Sequence, residues 1–311
     1  MPRVRVYGAL VLVQLLFGVH YFVAKLALEM MPPRAWAALR ILGGATLLIL
    51  YNLFFVRQPA PNRADLGRLA FFALLGVACN QVLFVEGLAR TTPAHSALIN
   101  SIIPVATLGI AILLGKERRT ARRVASICVA FASVLVLLRV ESFRFEDTWV
   151  LGDLLTLANA CSFSLFLVLS RDTLRRMHPL AATAWLLGLG ALGVVAVGGG
   201  PLLGTDFGAL PARFWWFAAY TIVGATALAY FLNSFALRYV DSSMVALFIY
   251  LQVPLATALS YFYLDDRPTP RFLFATAGIF FGVFLAVSNG SGSRAPELEP
   301  APTGARVEEE A

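Results

Sequence analysis

The chain has 311 residues, of which 59% are hydrophobic and only 14% are charged, and its mean hydropathy is +0.75. These values lie far from those of the average soluble domain and predict an integral membrane protein. The formal net charge is +7, but the basic residues are scattered between apolar runs. This distribution argues against a nucleic-acid-binding protein.

Ten apolar runs follow one another along the chain, and each has about the 20 residues that a helix needs to cross roughly 30 Å of hydrocarbon. The first run is too long for the apolar region of a signal peptide and lacks a small-x-small cleavage site, so we expect a retained helix. The pattern predicts a multi-pass protein of the cell inner (plasma) membrane, all-α, with ten transmembrane helices. These are expected at about 6–28, 35–56, 67–88, 93–114, 122–140, 150–170, 180–199, 213–236, 242–264 and 271–289.

Basic residues favour one alternating set of the segments that connect these runs. This set includes KERRTARR at 116–123, and the positive-inside rule then predicts that both chain termini are cytoplasmic, N-in and C-in. Residues 290–311 are rich in Pro, Glu, Ala and Gly and have nothing with which to build a core. We expect a disordered cytoplasmic tail there.

The sequence lacks the motifs of enzymes and metal sites. It contains no HExxH, GxSxG or P-loop pattern and no close pair of acidic residues within an apolar run. Cys79, Cys128 and Cys161 have no CxxC or histidine spacing that would hold a metal. We therefore expect no enzymatic activity, no cofactor and no metal.

The two halves of the chain are similar in sequence. LINSIIPVATLGI at 98–110 parallels LFIYLQVPLATAL at 247–259, and each places a proline, Pro104 or Pro254, inside an apolar run. Other segments recur in the same order at offsets of 146 to 150 residues. The sequence thus contains an internal repeat.

Each copy of this repeat, at 1–140 and 150–289, holds five predicted spans. Because five is an odd number, the second copy must enter the membrane from the opposite side. The sequence therefore predicts two inverted five-helix repeats, an arrangement typical of secondary transporters, with a site near the midplane between them.

Three segments carry a family resemblance. The pattern FxxGLxxTxxAxxAL runs from Phe84 to Leu98, LLGKERRT occupies 113–120, and LGDLLTLANACSFSLFLVLSR opens the second half at 151–171. In these segments the chain resembles EamA-type members of the drug/metabolite transporter superfamily. The resemblance implies two EamA-like repeats and export or exchange of small organic metabolites, with amino acids as the leading substrate class.

Polar side chains inside apolar runs cost free energy unless they find a partner or water, so we expect them to face the interior of the bundle. Gln81 and Phe84 share one helical face, and Tyr230 and Asn233 repeat it in the second half with amide and ring exchanged. They predict a substrate cavity, the alternative being hydrogen bonds that only join helices. The predicted lining residues are Phe17, Asn80, Gln81, Phe84, Asn100, Asn159, Phe163, Tyr230, Asn233 and Tyr250.

Three further features are assigned roles. His20 and His95 are candidates for proton-linked gating, the alternative being neutral histidines bonded to backbone carbonyls. Arg40 is expected to bind backbone carbonyls or a carboxylate and to be structural. Pro104 and Pro254 each remove a backbone donor and are predicted hinges of the fourth and ninth spans.

These patterns predict a secondary transporter whose partners are a small-molecule substrate and the lipid bilayer, with no nucleic acid. A neutral, aromatic cavity favours an amphipathic solute such as an aromatic or branched amino acid. The alternative is a lipid flippase or scramblase of the same fold. Gly278 and Gly282 form a GxxxG pattern that serves either packing within the bundle or dimerisation, so the oligomeric state stays open.

Overall fold

The computed structural model describes residues 3–91, 93–118, 120–137, 147–263 and 270–287. Within these ranges every regular element is helical, so the predicted all-α class is confirmed. The described α-helices are α1 (Arg3–Leu28), α2 (Pro33–Tyr51), α3 (Arg63–Ala73), α4 (Asn80–Arg90), α5 (Pro93–Asn100), α6 (Ile103–Leu113), α7 (Ala121–Leu137), α8 (Asp147–Arg176), α9 (Pro179–Leu203), α10 (Ala212–Ala219), α11 (Ala229–Tyr239), α12 (Ser242–Leu247), α13 (Gln252–Tyr263) and α14 (Pro270–Val287).

Short turns of other helical types connect or extend several of these helices. π-helical turns extend α2 over Asn52–Val56, join α3 to α4 over Leu74–Cys79, and join α10 to α11 over Tyr220–Leu228. 3-10 turns cover Phe207–Ala209 and Phe248–Leu251. The third and eighth predicted spans are therefore continuous helical rods with a π turn near the middle.

Six rods among the described residues are long and apolar enough to cross a membrane. They are Val4–Leu28, Pro33–Val56, Arg63–Arg90, Val150–Arg176, Pro179–Leu203 and Ala212–Tyr239. Shorter apolar helices cover Ile103–Leu113, Ser242–Leu255 and Leu273–Leu285. The chain is thus a multi-pass membrane protein, while ten spans and the N-in/C-in orientation stay predictions. The predicted tail at 290–311 lies outside the described residues.

Helix packing repeats between the two halves of the chain. Counting in chain order, α1 corresponds to α8, α2 to α9, α3–α4 to α10–α11, α5–α6 to α12–α13 and α7 to α14. The equivalent helices α2 and α9 pack along each other, and so do α7 and α14. The packing of α4 on α8 is matched by that of α11 on α1, and the packing of α6 on α8 by that of α13 on α1. Exchanging the halves thus preserves the packing.

The π turns occur at equivalent places in the two repeats and expose backbone acceptors. A π turn replaces the usual i→i+4 bonds by i→i+5 bonds, which loosens the pairing of its carbonyl groups. In the first repeat, the Leu75 carbonyl accepts a hydrogen bond from the Ser162 hydroxyl at 2.8 Å. In the second, the Ala225 carbonyl lies 3.4 Å from a donor of Arg40. Both turns therefore bind side chains of other helices.

The two prolines start helices rather than bend them. A turn separates α5 from α6 and places Pro104 in the first turn of α6. A 3-10 turn separates α12 from α13 and places Pro254 in the first turn of α13. Proline is well tolerated there because its missing N–H would have no partner within the helix. The regular α-helix is thus interrupted before each proline, by a turn before Pro104 and by a 3-10 turn before Pro254, and the hinge role stays a prediction.

The GxxxG pattern of α14 faces α7 of the same chain. A Cβ atom built on Gly282 would lie 2.8 Å from the Ala130 Cβ, and one built on Gly278 would collide with the Ser133 hydroxyl. The two glycines therefore allow α7 and α14 to approach closely. Of the two roles left open by the sequence, packing within the bundle is the one that the structure shows.

Candidate functional site

A cavity of about 80 Å³, partly open to the outside, lies where helices of both repeats meet. Its wall combines amide, aromatic and aliphatic side chains from α1, α2, α4, α5, α6, α8, α11 and the α12–α13 segment. The lining residues are Gln14, Phe17, His20, Tyr21, Arg40, Asn80, Gln81, Phe84, Asn100, Ile103, Asn159, Phe163, Tyr230, Asn233, Val245, Ile249 and Gln252.

The structure brings nine of the ten predicted cavity residues together in this wall, namely Phe17, Asn80, Gln81, Phe84, Asn100, Asn159, Phe163, Tyr230 and Asn233. Of the two candidate histidines, His20 also lines the cavity. His95 belongs to α5, but its side chain lies outside the described part of the molecule. Contact of these residues with a solute stays a prediction.

Tyr250 does not line the cavity. It is fully buried in the hydrophobic core, and its hydroxyl has no hydrogen-bond partner among the described residues. The lining positions of this segment are Val245, Ile249 and Gln252, which follow the spacing of one helical face. Tyr250 comes one residue after Ile249 and is therefore turned away from that face.

A chain of amide hydrogen bonds joins four helices across the cavity wall. Asn80 Nδ2 donates to Asn159 Oδ1 at 2.6 Å, and Asn159 Nδ2 donates to Asn100 Oδ1 at 3.0 Å. Asn100 Nδ2 then donates to the Tyr21 hydroxyl at 2.8 Å. At the other end, Gln81 Nε2 donates to Asn80 Oδ1 at 2.8 Å. Each amide donates to the next group, so the chain has one direction.

A backbone carbonyl fixes this direction. The Tyr230 hydroxyl donates to the Gly76 carbonyl at 3.1 Å, so it must accept when Gln81 Nε2 approaches it at 2.6 Å. Gln81 therefore points its amide nitrogen into the chain, and its Oε1 has no partner among the described residues. Asn233 Oδ1 is also buried without a partner there. The cavity wall thus retains two unpaired acceptors.

Aromatic rings cover the part of the wall beside α1. The His20 ring stacks on Phe84 with the ring centres 6.0 Å apart. Tyr21 meets the same phenyl ring edge-on at 5.5 Å. This cluster places flat apolar surface next to the amide chain, so the cavity offers both stacking and hydrogen bonds.

Arg40 is the one formally charged side chain among the described residues that line the cavity, and it is 1% exposed. Its Nη1 lies 2.6 Å from His20 Nε2, its Nε donates to the Thr226 hydroxyl at 3.2 Å, and its Nη2 is 3.4 Å from the Ala225 carbonyl. The expectation that Arg40 binds a backbone carbonyl agrees with this geometry. The alternative partner, a carboxylate, is not found for it in the part of the chain that the structure describes.

Equivalent basic residues bind the turns between helices. Near the end of α1, Lys25 donates to the carbonyls of Leu88 and Thr91 at 3.0 and 3.1 Å. Near the end of α8, Arg171 donates to the Val240 carbonyl at 3.1 Å and to Asp241 at 2.6 Å. The repeat thus uses the same contact twice, once in each half.

Polar contacts join the two halves near both ends of α8. Beside its first turns, the Thr91 hydroxyl donates to Asp153 at 2.8 Å. Near its other end, a cluster contains Glu117, which accepts hydrogen bonds from Ser242 and Ser243, and Arg123, which pairs with Asp241 at 2.8 Å. Asp153 and Arg171 are 18 residues apart in one helix, which separates the two sets of contacts by about 27 Å.

Sequence reasoning missed four polar members of the wall, namely Gln14, Tyr21, Arg40 and Gln252. Gln14 and Tyr21 lie three residues before and four residues after Phe17, so the helical period of α1 could have found them. Arg40 was assigned a structural role, and its place in the cavity follows from contacts with residues 185 and 186 positions away. An ionisable residue inside an apolar run is the signal that pointed to it.

Comparison with known proteins agrees with the fold. The EamA-like transporter family matches residues 5–139 and, a second time, residues 150–288. A solved crystal structure superposes with a TM-score of 0.72 at 20% sequence identity and covers 91% of this chain and 95% of its own. At this identity, the likeness shows the shared fold.

Relatives of similar length include proteins named as transporters. The uncharacterized transporter YyaM of Bacillus subtilis (strain 168) is 25% identical, over 94% of this chain and 95% of its own length. The WAT1-related protein At4g30420 of Arabidopsis thaliana is 24% identical over 90% and 84%, respectively. The uncharacterized inner membrane transporter YedA of Escherichia coli (strain K12) is 24% identical over 81% of each chain.

Proposed function

Because this chain belongs to the EamA-like transporter family, we propose that it is a secondary transporter that moves small organic solutes across the membrane by alternating access between its two repeats. We place it in the inner (plasma) membrane, where it exports or exchanges metabolites. The halves 1–140 and 150–289 act as the two repeats, and 290–311 as a cytoplasmic tail.

The observation that carries this proposal is the cavity between the repeats. Its wall is made by helices of both halves, so a relative movement of the halves would change its shape. The amide chain and the aromatic cluster suit a solute that has both apolar and polar parts. Amino acids with an aromatic or branched side chain have this character and are the proposed substrates.

The contacts between the halves support alternating access. The Thr91–Asp153 bond and the cluster around Glu117 lie near opposite ends of α8, and both consist of polar groups that water can replace. Opening one set while the other stays closed would expose the cavity to one side at a time. The helix breaks before Pro104 and Pro254 supply places where α6 and α13 can change direction.

Flux into proteoliposomes tests the proposal. Purified full-length protein is reconstituted, and uptake of labelled amino acids and small amines is measured with and without a pH gradient. We expect saturable flux of at least one solute, and a response to the gradient would show proton coupling. Rapid movement of labelled lipid between leaflets, with no flux of any solute, would refute the transporter proposal in favour of a flippase.

Variants show whether such flux uses the cavity. Gln81→Ala and Asn233→Ala remove amides of the wall and are expected to reduce flux by about tenfold or more, because each deletes a polar group that the solute can contact. Gln58→Ala removes an exposed amide in the segment after α2 and serves as the matched control. Equal flux in all three variants would show that the solute does not pass along this wall.

A further inference from the structure

We infer that Arg40 is the anion-binding group of the cavity, and that the ligand of this site carries a carboxylate. The inference rests on the proposed function for the statement that this ligand is the transported solute. It departs from the structural role that the sequence suggests for Arg40.

The charge of Arg40 has no counter-ion in the described structure. Its described hydrogen-bond partners are a histidine, a threonine hydroxyl and a backbone carbonyl, and none of them is a carboxylate. An arginine side chain stays protonated in proteins, and burial of an ion without a partner is costly. Elsewhere in the chain, half-buried arginines do pair with acids, as Arg171 does with Asp241. A bound anion would compensate the charge of Arg40 in the same way.

The guanidinium group of Arg40 also has N–H donors that no described residue accepts from. It has five N–H groups, and its three described hydrogen bonds use one each, on Nε, Nη1 and Nη2. One N–H on each terminal nitrogen is left. Two parallel N–H groups are the arrangement by which arginine binds a carboxylate with two hydrogen bonds.

His20 supplies a further hydrogen-bond donor to the part of the cavity wall beside Arg40. Its Nε2 faces a guanidinium N–H of Arg40 and must therefore accept, which leaves the ring proton on Nδ1. Nδ1 has no partner among the residues that the structure describes. By contrast, the unpaired atoms on α4 and α11, Gln81 Oε1 and Asn233 Oδ1, are acceptors. The wall is thus polarised, with spare donors on α1 and α2 and spare acceptors on α4 and α11.

The repeat shows that Arg40 is not part of the common framework. The offsets of 146 to 150 residues place its counterpart between 186 and 190, where the sequence reads LLGLG. The counterpart of His20 at the offset of 146 is Phe166. A group that only held the repeated helices together would be expected in both halves, whereas a group that binds one end of a solute is needed once. One positive charge balances one carboxylate.

Ligand binding to the detergent-purified full-length protein tests the inference. The probes are pairs that share the same apolar group and differ in charge: 3-phenylpropionate and phenethylamine, 4-methylpentanoate and isopentylamine, and L-phenylalanine and L-phenylalaninamide. Thermal unfolding at increasing probe concentration gives the apparent affinity of each. We expect the carboxylate of each pair to bind about tenfold or more tightly than its partner. If no carboxylate is preferred over its partner in any pair, the inference is overturned, and this comparison needs no variant.

Variants identify the group responsible. Arg40→Gln is expected to abolish the preference for carboxylates, and Arg40→Lys to retain part of it, since lysine keeps the charge and loses the two-bond geometry. Arg34→Gln is the matched control, because it removes a cation from the same helix that lies outside the cavity and is paired with Glu86 at 2.6 Å. An undiminished preference in folded Arg40→Gln would also overturn the inference.

The outcomes separate this inference from the proposed function. If proteoliposomes transport amines while carboxylates show no preferred binding, the transporter proposal is supported and the anion-binding role of Arg40 is refuted. If carboxylates bind through Arg40 and no solute crosses the membrane, the anion site is supported and the transporter proposal is refuted.

Discussion

Replacing Asn159 by leucine breaks the amide chain at its centre. The variant loses the bonds to Asn80 and Asn100, at 2.6 and 3.0 Å, and leaves a buried donor and a buried acceptor without partners. Hydrogen bonds between membrane helices contribute about 0.6 kcal/mol on average, and each stranded group adds about 1–2 kcal/mol when water does not reach it. We therefore expect Asn159→Leu to lower the free energy of unfolding by about 3–5 kcal/mol.

A double-mutant cycle makes this expectation specific to the chain. Asn80→Leu removes the same bond from its other side, so the double variant should cost less than the sum of the single variants by about 0.5–2 kcal/mol. The control pairs Asn159→Leu with Thr183→Val, whose hydroxyl bonds only to the Pro179 carbonyl within α9. That pair should be additive to within about 0.5 kcal/mol.

The assay is reversible unfolding in mixed micelles of a mild detergent and dodecyl sulfate, followed by circular dichroism. Coupling in the first cycle and additivity in the control cycle would agree with a directed chain of amides. Additivity in both cycles would refute the reasoning, because the two asparagines would then not depend on each other.

Three further predictions follow from packing and charge. Gly282→Leu should lower the free energy of unfolding by about 2 kcal/mol or more, because a Cβ atom at this position has no room against α7. At Gly8 a Cβ atom meets nothing within 4 Å, so Gly8→Ala should raise the free energy of unfolding by about 0.5–1 kcal/mol. Thermal unfolding compares the two, and equal effects would contradict the close helix contact. Asp241→Asn takes the carboxylate from two arginines that it pairs with and should cost about 1–3 kcal/mol in the same assay; unchanged stability would mark these pairs as weak. Pro104→Ala and Pro254→Ala should each slow transport at unchanged solute affinity, because alanine permits a continuous helix across the break; unaltered rates in both would rule out the hinge role.

The sequence predicted much of the wall because helical spacing and the internal repeat constrain it. Phe17 and Phe163 were chosen as equivalent positions, and Gln81 and Asn233 as members of faces with exchanged chemistry; all four line the cavity. Both patterns depend on distances along one helix or on one fixed offset between halves. Such regularities can be found without knowing how the helices pack.

The rest depends on contacts that no local pattern records. Arg40 reaches Thr226 in a π turn, and neither that turn nor its position against α2 follows from hydrophobic periodicity. Tyr250 was chosen because it is polar, yet the 3-10 turn that contains it sets which neighbours face the cavity. The prolines predicted hinges, but whether a helix bends or is interrupted at such a position is decided by the packing around it.

Because Arg40 has no counter-ion among the described residues, the membrane voltage is expected to affect ligand binding in the cavity. Moving one elementary charge across the whole potential is worth about 2.3 kcal/mol per 100 mV. A bound monoanion would cancel this charge, whereas a zwitterion would leave it in place. The empty and ligand-bound forms of the protein would therefore respond differently to an electric field. Vesicle experiments on this protein should thus fix the membrane potential with a potassium gradient and an ionophore. At an uncontrolled potential, the measured flux would depend both on solute binding and on the effect of the electric field on the charge of Arg40.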